Sequence, residues 1–183
     1  MIVGSLRSNN LDDKRLSITP ETVKSYINLG LNVMLEKNYG AHLNISDDDY
    51  IKNSVRIVDD PNEILERSDL ITLVSFNNQF DEKIIKDNCI VIGLIEESIK
   101  NNFNKKNIKF FSLTKLPRIT RAQSMDVLSS QANLGGYRAV IDAMFEFEKA
   151  MPMMMTAAGT ITAARVLVIG VGVAGLQASA TAK

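Results

Sequence analysis

Short apolar runs alternate with helix-like spacings from Met1 to Lys115. Met1 to Val3 reads as a strand. A helix is expected from Pro20, with Thr19 as its N-cap and Glu21 in the first turn, where the helix dipole favours an acid. Val23, Tyr26, Ile27 and Leu29 supply its apolar face and Gly30 its stop. Asn32 to Glu36 predicts a strand. Asp47 to Asn53 and Pro61 to Arg67 predict short helices, the second capped by Asp60. The largely apolar run Leu70 to Phe76 has the signature of a strand buried on both faces. Helix is then expected at Asp81 to Lys86, strand at Cys89 to Ile95, helix at Glu97 to Lys105 and strand at Ile108 to Leu113. Such alternation predicts an α/β fold, a parallel sheet flanked by helices on both faces.

After Pro117 the pattern changes. Arg118 to Ser124 is polar and reads as a loop, and Met125 to Ala150 predicts a long helix ended by Pro152. Leu128, Ala132, Val140, Ile141, Met144, Phe145 and Phe147 are its apolar positions. Gly135 and Gly136 sit inside it, each costing about 1 kcal/mol relative to alanine unless close packing needs them. Val166 to Ile169 predicts a strand, Gly170 to Gly175 a turn, and Leu176 onward a helix.

Composition narrows the possibilities. The 183 residues are 45% hydrophobic and 23% charged, an ordinary globular balance. Lysine plus arginine equals aspartate plus glutamate at 21 each, so no broad cationic field exists to gather nucleic acid. One cysteine, Cys89, and one histidine, His42, exclude a disulfide scaffold and a zinc site built from cysteine and histidine, and no metal site is expected. From Ala150 onward the only charged residues are Arg165 and Lys183, and this shift marks a boundary near Met151. The uncharged run Val166 to Ala182 contains Gly170, Gly172, Gly175 and Gln177, which makes a poor membrane helix. The apolar start, Met1 to Val3, is too short for a signal peptide. An intracellular protein is expected.

Two segments carry candidate chemistry. Gly170-Val-Gly172-Val-Ala-Gly175 follows an apolar run and opens a helix, the context of a dinucleotide-binding turn. The first glycine allows the tight turn, the second lets backbone approach a pyrophosphate, and the third permits close packing. The amides of the helix N-terminus then face the phosphates. The acidic ribose partner expected about 20 residues past the last glycine would fall beyond Lys183, so the chain is expected to be part of a longer protein. The second segment, Pro117 to Arg138, is dense in hydrogen-bonding groups. Arg118 can clamp a phosphate or carboxylate, Gln123 suits a carboxamide, and Asp126 can accept from a ribose hydroxyl. Ser124 or Asp126 can equally be a helix cap, with the arginines on a solvated edge.

Arg118 to Asp142, Pro152-Met-Met-Met-Thr-Ala-Ala-Gly159-Thr and Arg165-Val-Leu-Val-Ile-Gly-Val-Gly-Val-Ala-Gly-Leu-Gln-Ala resemble the NAD(H)-binding component of the proton-translocating NAD(P) transhydrogenases, in the alanine dehydrogenase superfamily. Arg15-Leu-Ser-Ile-Thr-Pro20-Glu21 resembles that family's N-terminal motif, whereas Gly135 departs from its Leu-Ala-Gly-Tyr run. The resemblance implies a Rossmann-like domain over residues 1–125, a connecting helix over 126–150 and the first β-turn-α of a second Rossmann domain over 151–183. It implies NAD(H) contacts from Arg118, Gln123, Asp126, Ser129, Tyr137, Gly170, Gly172 and Gly175, with no catalytic side chain. It further implies direct hydride exchange with NADP(H) on a partner domain. The implied partners are the remainder of the alpha subunit, membrane and NADP(H)-binding subunits, and a second copy in a homodimer. The implied location is peripheral, on the cytoplasmic face of the inner membrane. The 183 residues alone are expected to show no turnover.

Two alternatives stand beside this reading. An alanine dehydrogenase-like fragment would use Arg15 for its substrate carboxylate, but the run Leu70 to Phe76 ends without lysine and no histidine follows Cys89 to Ile95. His42 lies in the wrong region and reads as structural or surface. An inactive truncated remnant is the third possibility.

Overall fold

The computed structural model describes residues 1–8, 12–75, 83–95 and 107–183. These form two compact units, Met1–Leu116 and Pro117–Lys183.

The first unit is built on six strands: β1 (Ile2–Ser5), β2 (Asn32–Glu36), β3 (Arg56–Val58), β4 (Leu70–Ser75), β5 (Ile90–Leu94) and β6 (Lys109–Ser112). Helices α1 (Pro20–Asn28), α2 (Asp47–Ile51) and α3 (Pro61–Arg67) lie between them in sequence. Every pairing is parallel and the order is β3-β2-β1-β4-β5-β6, the doubly wound Rossmann arrangement whose order reverses between β1 and β4. Alternation along β2 sends Val33 and Leu35 to one face and Met34 to the other. Val33 and Leu35 pack with Val23 and Tyr50, whereas Met34 packs with Val58 and Ile64. Both faces of the sheet are therefore covered, as the apolar runs predict.

The caps follow the sequence closely. Thr19 caps α1 in a reciprocal box with Thr22, and Ser46 caps α2 in another with Asp49. Asp60 accepts from the Asn62 amide at 2.9 Å to start α3. Two parts of the first unit differ from expectation. Strand β3 is not anticipated, because three residues give too short an alternation to register as a run. Lys83 to Lys86 forms a turn rather than a helix. Ile85 is fully buried there, and the Lys86 amide donates to the Leu65 carbonyl at 3.0 Å, so the segment is anchored by its core contact. The expected helix at Glu97 to Lys105 lies outside the described residues, as do Phe76, Asp81 and Glu82.

The second unit contains α4 (Val127–Phe147), the antiparallel hairpin β7 (Met154–Thr156) and β8 (Gly159–Ile161), and α5 (Val173–Ala182). Three findings correct the sequence reading. Thr120–Met125 winds into a 3₁₀ turn through the expected loop and the first expected helical residue, so α4 starts at Val127 rather than Met125. Val166 to Ile169 is not a strand: it finds no pairing partner among the described residues, and Leu167 and Ile169 are 84% and 92% exposed. Helix α5 starts at Val173, earlier than Leu176, because Gly175 fits into its first turn. The hairpin went unread, since its two three-residue strands are exposed throughout and carry no alternation. Among the described residues no helix is long and apolar enough to cross a membrane.

Candidate functional site

Asp126 organises the polar segment. It is the N-cap of α4: its Oδ1 accepts from the Ser129 amide at 3.0 Å and its Oδ2 from the Ser129 hydroxyl at 2.6 Å. These bonds from Ser129, with a smaller contribution from the positive charge of Arg118, hold the carboxyl below the usual carboxylate range. The capping and ligand-facing readings of Asp126 are compatible, because a carboxylate has roughly four lone-pair sites and the cap uses two. Ala122 is buried and anchors the 3₁₀ turn, while Arg118 and Gln123 beside it are exposed. Tyr137 lies further along α4 and is 49% exposed. Its neighbour Arg138 pairs with Asp142 at 2.8 Å on a solvated face.

The glycine segment is irregular backbone up to Gly172 and helix from Val173. Gly170 has φ +124°, a backbone shape that side chains rarely adopt. Gly172 is the N-cap of α5, and a Cβ added there would meet nothing within 4 Å, so the helix N-terminus is open to an approaching group. A Cβ on Gly175 would overlap the carbonyl oxygen of Gly170. The third glycine thus packs on the turn's own backbone rather than on a preceding strand.

Helices α4 and α5 cross directly. Gly136 is buried against the backbone of Ala174, and a Cβ on Gly136 would overlap the Ala174 carbonyl. Three residues earlier on α4, the Asn133 side-chain amide donates to Gln177 Oε1 at 3.2 Å. Position 133 meets 177 and position 136 meets 174, so the two helices run in opposite senses along the contact. Sequence reasoning did not assign Asn133, Gly136 or Gln177 to the site. The signal was present in the Gly135-Gly136 pair, whose cost in a helix predicts a close neighbour.

A separate concave place lies in the first unit, where β1 and β4 end on either side of the reversal in strand order. Ser5, Ser17, Tyr39 and Thr72 form a hydroxyl cluster there, with Ser5 Oγ donating to the Thr72 carbonyl at 2.7 Å and contacting Tyr39 Oη at 2.9 Å. Beside the cluster, Ser17 and Tyr39 line an open space of about 30 Å³, room for a water-sized group. Arg15 lines it, but Asp13 fills the guanidinium fork with two bonds of 2.8 Å. His42 stands apart, its Nε2 bonded to the Lys14 carbonyl at 3.0 Å.

The family model described as "Alanine dehydrogenase/PNT, N-terminal domain" matches residues 7–135, and that for the C-terminal domain matches residues 139–183. The chain belongs to the alanine dehydrogenase/PNT family. Among the family's curated members, a Rickettsia prowazekii protein named as the first part of NAD(P) transhydrogenase subunit alpha is 42% identical across all of this chain and half of that protein. The protein of the same name from Rhodospirillum rubrum is 42% identical over 93% of this chain and 47% of its own length. The chain thus spans about half the length of the curated relatives it matches. Of solved structures, a transhydrogenase from Sinorhizobium meliloti superposes with a TM-score of 0.90 at 39% identity, covering all of this chain and 55% of the other. An L-alanine dehydrogenase superposes with a TM-score of 0.79 at 14% identity over all of this chain and 52% of the other, a likeness of fold alone.

Proposed function

We propose that this chain is the N-terminal part of the NAD(H)-binding component of a proton-translocating NAD(P) transhydrogenase. The observation that carries the reading is the opening of α5, where Gly172 leaves the helix N-terminus uncrowded in a chain that matches transhydrogenase subunits along its length. The residues fit a dinucleotide. Amides at the start of α5 would meet a pyrophosphate, where the helix dipole favours negative charge. Arg118 would neutralise charge, Gln123 would offer its amide to a carboxamide, and the ionised Asp126, held by Ser129, would accept from a ribose hydroxyl. Tyr137 would border the cofactor from α4.

Bound across these groups, NADH would give a hydride to NADP+ on a partner domain, or NAD+ would take one from NADPH there. The chain's side chains have no proton to give or take in that exchange. Their work is to fix one ring at reacting distance and to keep water out. Residues 1–125 serve as the first domain, 126–150 as the connecting helix and 151–183 as the opening of the second. Proton movement belongs to membrane partners, which hold the chain peripherally on the cytoplasmic face. The complete domain acts as a homodimer joined to the remainder of the alpha subunit. Two observations weigh against the alanine dehydrogenase-like alternative: Asp13 already fills the fork of Arg15, and β4 ends in Val74-Ser75 without lysine.

The test is NADH fluorescence titration of the chain alone and co-expressed with a polypeptide matching the second half of its relatives. The pair should bind NADH saturably and, with an NADP(H)-binding component, transfer hydride between the two nucleotides; the chain alone should bind weakly or not at all. A soluble, folded pair that ignores NADH sinks the reading. Alanine-dependent NAD reduction by the pair would favour the alternative.

A further inference from the structure

We propose that Gly136 is a positioning residue of the nucleotide site, acting through the backbone of Ala174. The inference rests on the reading that the start of α5 receives a pyrophosphate. Ala174 lies in the first turn of α5, two residues after the N-cap Gly172, so whatever fixes Ala174 also fixes the amides that open the helix. Gly136 does this by contact of backbone on backbone, with no intervening side chain to absorb error.

The opposite sense of the two helices gives the crossing a second consequence. Asp126 caps α4 ten residues before Gly136, about 15 Å along the axis at 1.5 Å per residue. Helix α4 therefore works as a ruler, with the polar segment at one mark and the first turn of α5 at another. The Asn133–Gln177 bond prevents sliding along the ruler, and Gly136 sets the closeness of approach. Gln177 is itself fixed, its Nε2 donating to Thr181 Oγ1 at 3.1 Å.

Gly135 supplies the control. A Cβ on Gly135 would meet nothing within 4 Å, while one on Gly136 would overlap the Ala174 carbonyl. Both are interior helix positions, so intrinsic propensity favours alanine equally at each. Gly135→Ala should raise thermal stability and leave the amide resonances of Val173 to Gly175 unmoved. Gly136→Ala should shift those resonances and weaken NADH binding by the complemented chain at least tenfold, measured at a temperature where far-ultraviolet dichroism shows it folded. Asn133→Ala adds no bulk and should weaken binding several-fold, which keeps the test alive if Gly136→Ala fails to fold. Equal behaviour of Gly135→Ala and Gly136→Ala overturns the proposal, as does unchanged NADH affinity in Asn133→Ala. The resonance shifts are read without nucleotide, so a complemented wild-type chain that never binds NADH would sink the functional reading and leave the crossing separately judged.

Discussion

The Cβ that Gly175 lacks would occupy the space of the Gly170 carbonyl oxygen, so α5 can begin only where position 175 is bare. Gly172, between them, has no such neighbour. The two glycines should therefore separate folding from binding. Gly175→Ala is expected to cost about 1–3 kcal/mol, as overpacking does. Gly172→Ala should cost no more than about 1 kcal/mol as an altered N-cap, yet weaken NADH binding by the complemented chain about tenfold or more. Denaturant unfolding and fluorescence titration of both variants check the pair. Loss of stability without loss of affinity in Gly172→Ala would contradict the assignment.

Asp126 should matter to α4 whether or not nucleotide is present. Removing the cap by Asp126→Ala is expected to cost about 0.5–2 kcal/mol, while Asp126→Asn, which still accepts a hydrogen bond, should keep most of it. Thermal unfolding in the absence of cofactor measures this directly.

Acid sensitivity follows from the same kind of contact. Arg15 beside Asp13, Lys86 with the Ile2 amide beside Asp69, and Ser129 beside Asp126 each hold a carboxyl below its ordinary value. A carboxyl whose folded pKa is depressed contributes stability that is fully present above its unfolded value and lost as pH falls. Stability should therefore be level through neutral pH and decline from about pH 4 downward. Unfolding midpoints taken across that range should follow this slope, and a rise in stability on acidification would contradict it.

Cys89 is fully buried at the entry to β5, and burial pushes its thiol up to about 11. It should resist thiol reagents at neutral pH and react only when the chain unfolds. Because the folded value is raised, its contribution to stability is present at neutral pH and fades as pH rises towards 11. Labelling with and without denaturant tests the first point.

Much of this was readable in the sequence because local chemistry decided it. Thr19, Asp60 and Pro61 start their helices with their own side chains and ring geometry, and β2 carries the same bounds as its apolar run. The parallel sheet with both faces covered followed from the alternation of strand and helix, whereas its strand order did not. What escaped was decided at a distance. Ile85 is held by a core it does not adjoin in sequence, and β3 exists through its pairing with β2. Val166 to Ile169 has the composition of a strand, yet pairing is what makes one. In the site, the Gly170–Gly175 spacing announced the turn, whereas the crossing at Ala174 was visible only as an unexplained Gly135-Gly136 pair.

Val3 pairs on one side with Val33 and on the other with Leu70. The central strand thus waits during synthesis for a neighbour encoded far downstream. At roughly 5–20 residues per second, about 3–13 s separate the emergence of Val3 from that of Leu70. Throughout that interval one flank of the strand is bare on the ribosome, and Val3 is shielded only by what α1 and β2 can offer. A nascent chain arrested before Leu70 should accordingly depend on holding chaperones in a way that one arrested after Leu94 does not.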